Sequence, residues 1–138
     1  MFWQSNYRNR LLALVATLSV QGCTTVTDNR PPEEIVAERA AVHLELLREQ
    51  QWEQALSYTT PGFRSQTTPE QYSGRYGGVW MWKETRVGDV SCDGQPVTDR
   101  CKVQTYRTVV PPKVTWSTEH YKPRTWIKVD GKWYIYEP

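Results

Sequence analysis

From Pro32 onward the hydrophobic rhythm of the chain changes once, from a helical period to a strand period. Between about Glu33 and Gln50, a rotation of about 100° per residue gathers Val36, Ala40, Leu44 and Leu47 into one apolar sector. Ile35, Val42 and Leu46 fall into a second sector, and Glu38, Glu45 and Glu49 into a solvent face. This pattern predicts an amphipathic helix. Arg39, His43 and Gln50 lie between the two apolar sectors and are expected to form a polar strip facing inward. Pro31 and Pro32 suit the start of that helix, and Glu33 and Glu34 suit its positive end. Trp52 to Tyr58 reads as a short second helix, stopped by Thr60-Pro61-Gly62. Thr68-Pro69-Glu70-Gln71 carries a capping-box signal for a third, which Gly74, Gly77 and Gly78 end.

The rest reads as strand. Val79 to Val90, Arg100 to Val110, Tyr121 to Val129 and Lys132 to Glu137 are the expected strands, with Pro111-Pro112 breaking the second. Asp130-Gly131 is a two-residue hairpin signal. It sets Val129 opposite Lys132, Ile127 opposite Tyr134 and Trp126 opposite Ile135. One face then carries Ile127, Val129, Tyr134 and Tyr136, and the other Trp126, Trp133 and Ile135. Both faces are apolar, so both are expected to meet something other than water. Helices first and an antiparallel sheet afterwards predict an α+β fold, with the sheet curling around the helices.

The N-terminus follows a different logic. Arg8 and Arg10 precede Leu11 to Val20, an apolar run of ten residues. Spanning a bilayer takes roughly 20, so the run suits the core of a secretory signal. Val20-Gln21-Gly22-Cys23 follows it and resembles the bacterial lipobox. That resemblance implies cleavage before Cys23, diacylglycerol in thioether linkage to Cys23, and palmitate-type acylation of the new amine. An ordinary signal peptide with an incidental cysteine is the alternative. The division expected is a signal peptide over 1–22, a lipidated spacer over 23–32 and one α+β domain over 33–138. Thr24 replaces the Asp of an inner-membrane retention signal, so in a Gram-negative host the domain is expected at the outer membrane, facing the periplasm.

Composition then changes meaning. The whole chain has 17 basic and 15 acidic residues. Loss of Arg8 and Arg10 leaves 15 against 15, so the mature part is formally neutral. It shows no basic footprint of the kind nucleic-acid binding requires. Cys92 and Cys101 flank the turn-rich stretch DGQPVTDR, and an oxidising compartment favours a disulfide between them. Two cysteines without nearby histidine make a poor metal site, and the spacing is no redox motif. No metal and no cofactor is expected.

The helical first part, EQQWEQALSYTTPGFRS, TPEQY and the closing TWIKVDGKWYIYEP together resemble the nuclear-transport-factor-two-like (cystatin-like) cone proteins. The resemblance implies a pocket between the first helix and the curled sheet. It does not imply one function, since the family includes enzymes, ligand binders and docking domains. For an isomerase, cyclase or dehydratase, His43 is the one plausible acid/base, with Arg39 one turn away favouring its neutral form. For a binding domain, Arg39 and His43 would be the polar anchor of a pocket floored by Trp126 and Trp133. Such a pocket would take a small apolar or anionic ligand. The aromatics could equally face an envelope protein partner, or the domain could be a structural subunit of an envelope or secretion assembly. The expectation is a membrane-anchored binding domain without catalysis.

Overall fold

The computed structural model describes residues 28–94 and 97–138. The expected signal peptide over 1–22 and the expected lipidation residue Cys23 lie outside the described residues. Helix α1 (Pro32–Arg48) opens on the expected prolines and buries Val36, Ala40, His43, Leu44 and Leu47. It stops two residues before Gln50. Gln50 adopts a left-handed φ of 58°. The Gln51 amide reaches the Leu46 carbonyl at 2.8 Å and the Gln50 amide reaches that of Leu47 at 3.0 Å. This is a Schellman closure without glycine. Gln50 therefore terminates the helix and is exposed, rather than joining the inward strip. The second apolar sector is also shallower than its composition suggests, since Val42 is exposed.

Helix α2 (Trp52–Leu56) follows. Thr60-Pro61 does more than stop it. The Thr60 side chain accepts from the Phe63 amide and Pro61 takes the first helical position, so the same residues start helix α3 (Pro61–Arg64). Helix α4 (Pro69–Ser73) has the reciprocal capping box of Thr68 and Gln71. Two 3₁₀ turns, Gly74–Tyr76 and Val79–Met81, delay the first strand past its expected start.

Strands β1 (Trp82–Asp93), β2 (Arg100–Val109), β3 (Thr118–Val129) and β4 (Lys132–Ile135) form one antiparallel sheet in sequence order. The Asp130-Gly131 turn gives the register expected, with Trp126 opposite Ile135, Ile127 opposite Tyr134 and Val129 opposite Lys132. Two register shifts in β1, at Trp82/Glu84 and Val87/Val90, bend the sheet. Gly88 sits in the second, where a Cβ would come within 2.7 Å of the Tyr106 ring. The helices lie in the resulting concavity, α1 crossing β1 and β2.

The concave face holds an apolar cluster of Val36, Ala40, Cys101, Val103, Trp126, Trp133 and Ile135. A second cluster, Leu47, Ala55, Leu56, Tyr72, Tyr76 and Val79, joins the helices to one another. The outer edge of β4 is closed by the chain after α2, where the Ile135 amide donates to the Tyr58 carbonyl at 2.9 Å. β3 begins three residues earlier than its pattern suggested and extends well past β4, which pairs only with its last four residues. Pro123, which has no amide hydrogen to offer a further strand, lies on that extension.

Cys92 and Cys101 face each other across β1 and β2 and are joined by a disulfide. Cys101 is fully buried against the apolar cluster. Replacing both cysteines by serine should therefore lower unfolding free energy by about 2–3 kcal/mol through loop entropy. Buried serine hydroxyls would add to that loss. Denaturant titration of the oxidised protein against the double variant checks this, and equal midpoints would refute it.

Candidate functional site

The functional residues expected from sequence are distributed between two places. Arg39 is half-buried at the α1–β4 contact, where its Nε donates to the Trp133 carbonyl at 2.9 Å and its guanidinium stacks on the Tyr58 ring at 4.7 Å. Its charge is thus met by a carbonyl and an aromatic face. Glu119 pairs with Arg86 at 2.8 Å on the opposite, convex side of the sheet. His43, Trp126 and Trp133 are buried in solid packing. The His43 ring lies 6.1 Å from Trp126, edge to face, and 6.0 Å from Tyr58. The expected pocket floored by Trp126 and Trp133 is therefore not formed around these four residues. Among the described residues none of the open clefts is lined by these four, and the Trp126 and Trp133 rings are buried beside His43 and Tyr58. Trp126 Nε1 has no hydrogen-bond partner, an arrangement that costs about 1–3 kcal/mol. The indole is held there for its volume.

What His43 does meet is a polar cluster that sequence reasoning missed. His43 Nε2 lies 2.9 Å from the Tyr72 hydroxyl. The Tyr76 hydroxyl donates to Glu137 Oε1 at 2.7 Å, and the Tyr72 hydroxyl reaches the same oxygen at 3.3 Å. Arg124 donates to the Tyr76 hydroxyl at 2.9 Å and to Glu137 Oε2 at 3.5 Å. Arg75 stands 3.8 Å from Oε2. The Glu137 side chain is 3% exposed and that of Arg124 10%. Two signals could have revealed this cluster. Strand alternation puts Glu137 on the face of Trp133 and Ile135, and a carboxylate facing inward demands cations. Tyr72 and Tyr76 are four apart in a helical stretch and so share a face.

Electrostatics fix the protonation of this cluster. Burial pushes the His43 imidazole down to about 3, with Arg124 and then Arg39 adding repulsion. His43 is neutral at pH 7. Burial likewise raises the Tyr72 hydroxyl far above its usual range and the Tyr76 hydroxyl to about 12, so both remain hydrogen-bond donors. A neutral imidazole with so low a pKa is poorly matched to proton transfer near neutrality. Among the described residues no group of three or more His, Cys, Asp or Glu side chains is placed to hold a metal ion. No helix among them is long and apolar enough to cross a membrane.

Open clefts lie at the surface. One of about 460 Å³ is lined by Arg48, Trp80, Met81, Trp82, Lys83 and Val110. One of about 330 Å³ includes Arg75, Lys122, Pro123, Arg124, Tyr136 and Glu137, on the outer side of the buried cluster. A smaller one, about 110 Å³, lies on the convex face beside Arg86, Tyr106 and Glu119.

No protein-family model and no curated protein matches the chain. Solved structures do. A SEC-C motif-containing protein from Psychrobacter arcticus superposes with a TM-score of 0.58 at 13% identity, covering 93% of this chain and 76% of that one. A SEC-C motif-containing protein from Rhodopseudomonas palustris gives 0.53 at 17% identity, over 72% and 73% of the two chains. A scytalone dehydratase-like protein from Novosphingobium aromaticivorans gives 0.50 at 15% identity, over 74% and 77%. The fold is a nuclear-transport-factor-two-like cone. At such identities the likeness concerns architecture, and within this cone the polar end is sealed by Glu137.

Two outcomes follow from the cluster. Glu137→Ala would strand Arg124 and two tyrosine hydroxyls, and should cost about 3–5 kcal/mol of stability. Glu137→Gln, which keeps an acceptor, should cost less, and equal losses in denaturant titration would refute the assignment. The second outcome is a pH dependence. Between pH 6.5 and about 3 the unfolded chain protonates His43 while the folded chain does not. Stability from this residue is therefore complete above pH 6.5 and falls as the pH drops, by on the order of 3 kcal/mol at pH 4. His43→Gln should flatten that part of the profile, and parallel curves for the two proteins would count against it.

Proposed function

We propose that the chain is an exported, lipid-anchored envelope protein whose domain binds a ligand or an envelope partner and does not catalyse a reaction. One observation carries the non-catalytic half of this reading. The interior of the cone is occupied by the protein's own side chains, with the neutral His43 imidazole packed against Trp126 and Tyr72 at its centre. A substrate would have to displace Trp126 or Tyr72 to reach it. The anchored half rests on the sequence. The basic and apolar segments ending in Val20-Gln21-Gly22-Cys23 favour lipid attachment at Cys23. The Cys92–Cys101 disulfide is in keeping with an oxidising compartment. Eight residues, Thr24 to Pro31, separate Cys23 from Pro32. Fully extended, they reach about 30 Å, which would hold the domain close to the membrane. In a Gram-negative host that membrane is the outer one, with the domain on its periplasmic side.

A second reading has its own support. The scytalone dehydratase-like neighbour and the short His43–Tyr72 contact are compatible with an enzyme using His43 as acid or base. It would require the interior to open and the His43 pKa to rise.

Both halves are testable. Mass spectrometry of membrane-extracted protein should find diacylglycerol on an N-terminal Cys23, and Cys23→Ser should leave the protein uncleaved or released from the membrane. A free, unacylated terminus at any other residue would overturn the anchor. His43→Ala should change stability or affinity only. A substrate whose turnover fell by about a thousandfold in that variant would meet the magnitude of general acid–base catalysis, and the enzyme reading would replace this one.

A further inference from the structure

The concave face of the sheet is apolar at one end and cationic at the other. Strand period carries the face of Trp126 outward along β3 through Arg124, Lys122 and His120. Arg107 lies opposite His120 on β2, and Thr105 opposite Lys122. Arg75 reaches the same region from the 3₁₀ turn after α4, where it shares Glu137 with Arg124. Four cations, Arg75, Arg107, Lys122 and Arg124, thus share this region, and two of them, Arg75 and Arg124, reach its one buried carboxylate. Arg75 also donates to a Pro138 oxygen at 3.1 Å. Even with that oxygen counted as an anion, four positive charges face two negative ones.

The excess is local and uncompensated. Among the described residues, neither Lys122 nor Arg107 has a carboxylate within ion-pair distance. Their mutual repulsion is visible in their acidities. Arg124 first and then partial burial hold the Lys122 ammonium below its usual range; Glu137 pulls the other way, and Arg107 and Arg75 add smaller repulsions. Partial burial and then Arg124 lower the Arg107 guanidinium. Such a site gains free energy by taking up negative charge.

The geometry is also that of a site and not of a charged surface alone. Arg124 is nine-tenths buried and fixed by Tyr76 and Glu137. Its guanidinium is therefore presented without the ordering cost a surface arginine would incur. It opens with Arg75 and Lys122 onto the cleft of about 330 Å³, a size at the lower end of small-molecule sites. Pro123 and the exposed Tyr136 ring give the cleft an apolar side. Two guanidinium groups and an ammonium suit an oxyanion that accepts several charge-assisted hydrogen bonds.

We propose that this cleft binds a phosphate-class oxyanion, either free in solution or as the phosphodiester headgroup of a lipid. Arg124 and Lys122 make the inner contacts and Arg75 closes the outer side. The site deepens the binding reading given above. It is independent of the lipid anchor and lies apart from the packed His43 interior.

The test uses the full-length Cys23→Ser chain, which carries no attached lipid. Calorimetric titration with pyrophosphate is one arm. Titration with short-chain phosphatidylglycerol is the other, with short-chain phosphatidylcholine as its zwitterionic control. Saturable binding with a Kd of about 1 mM or tighter is expected in at least one arm, weakening as salt is raised. Arg75→Ala/Lys122→Ala should weaken binding about tenfold or more, and Lys122→Ala alone, which removes no ion-pair partner of Glu137, should weaken it in the same direction. Lys132→Ala, at the distant hairpin, should not. Stronger binding of pyrophosphate identifies a soluble ligand, and stronger binding of phosphatidylglycerol a lipid headgroup. No saturable binding in either arm, or undiminished binding in the double variant with an unchanged circular dichroism spectrum, overturns the site. Turnover of a substrate by the chain would instead overturn the non-catalytic reading and leave the oxyanion site standing.

Discussion

A carboxylate cannot be taken out of water without replacing its hydration, and the burial of Glu137 is the constraint on which the wide end of this cone depends. The replacements come from three separate elements: Tyr72 from α4, Arg75 and Tyr76 from the 3₁₀ turn that follows it, and Arg124 from β3. None of these could move independently without leaving a charge or hydroxyl unanswered. His43 extends the same cluster into α1 through Tyr72. Because Trp126 packs on the other side of the imidazole, the histidine also couples the two apolar clusters, which are otherwise distinct. Polar pairing here sets the relative placement of parts that hydrophobic burial alone would leave free to slide.

Much of the architecture was legible in the sequence because it follows from local rules. The Asp130-Gly131 turn fixed the register of the closing hairpin, and that register put Trp126, Trp133 and Ile135 together facing the helices. The Thr68 capping box and the prolines at the start of α1 were equally local. The errors were of two kinds. Thr60-Pro61 was read as a stop when the same residues also satisfy the start of α3, an ambiguity inherent in a residue pair that ends one helix by beginning another. Gln50 was assigned to a helical face although left-handed closure can be made by a non-glycine residue at a cost of about 1–2 kcal/mol.

The candidate site was less legible, for a physical reason. Whether Arg39 and His43 line a cavity depends on what else enters the cone. That is decided by Tyr58, Tyr72 and Trp126, which reach it from three different elements. Period and propensity report which way a side chain points; they do not report whether the space it points into is already taken. Similarly, each of Arg75, Arg107, Lys122 and Arg124 reads singly as an ordinary surface cation. Only the strand register and the turn after α4 bring them together. Positions 23–138 carry 15 basic and 15 acidic residues, so the local excess leaves no trace in the composition.

The order in which these contacts occur along the chain has a consequence for biogenesis. Arg39 and its carbonyl partner at Trp133 are 94 residues apart, and Tyr72 and Glu137 are 65 apart. A polypeptide made from its N-terminus thus exposes the inner faces of its helices long before the strand and carboxylate that complete them exist. Contacts of such separation form slowly, since the closure entropy has to be met before any of them is rewarded. The packing of α1 against β4 and the burial of Tyr72 beside Glu137 are therefore completed only when the last residues of the chain have been made.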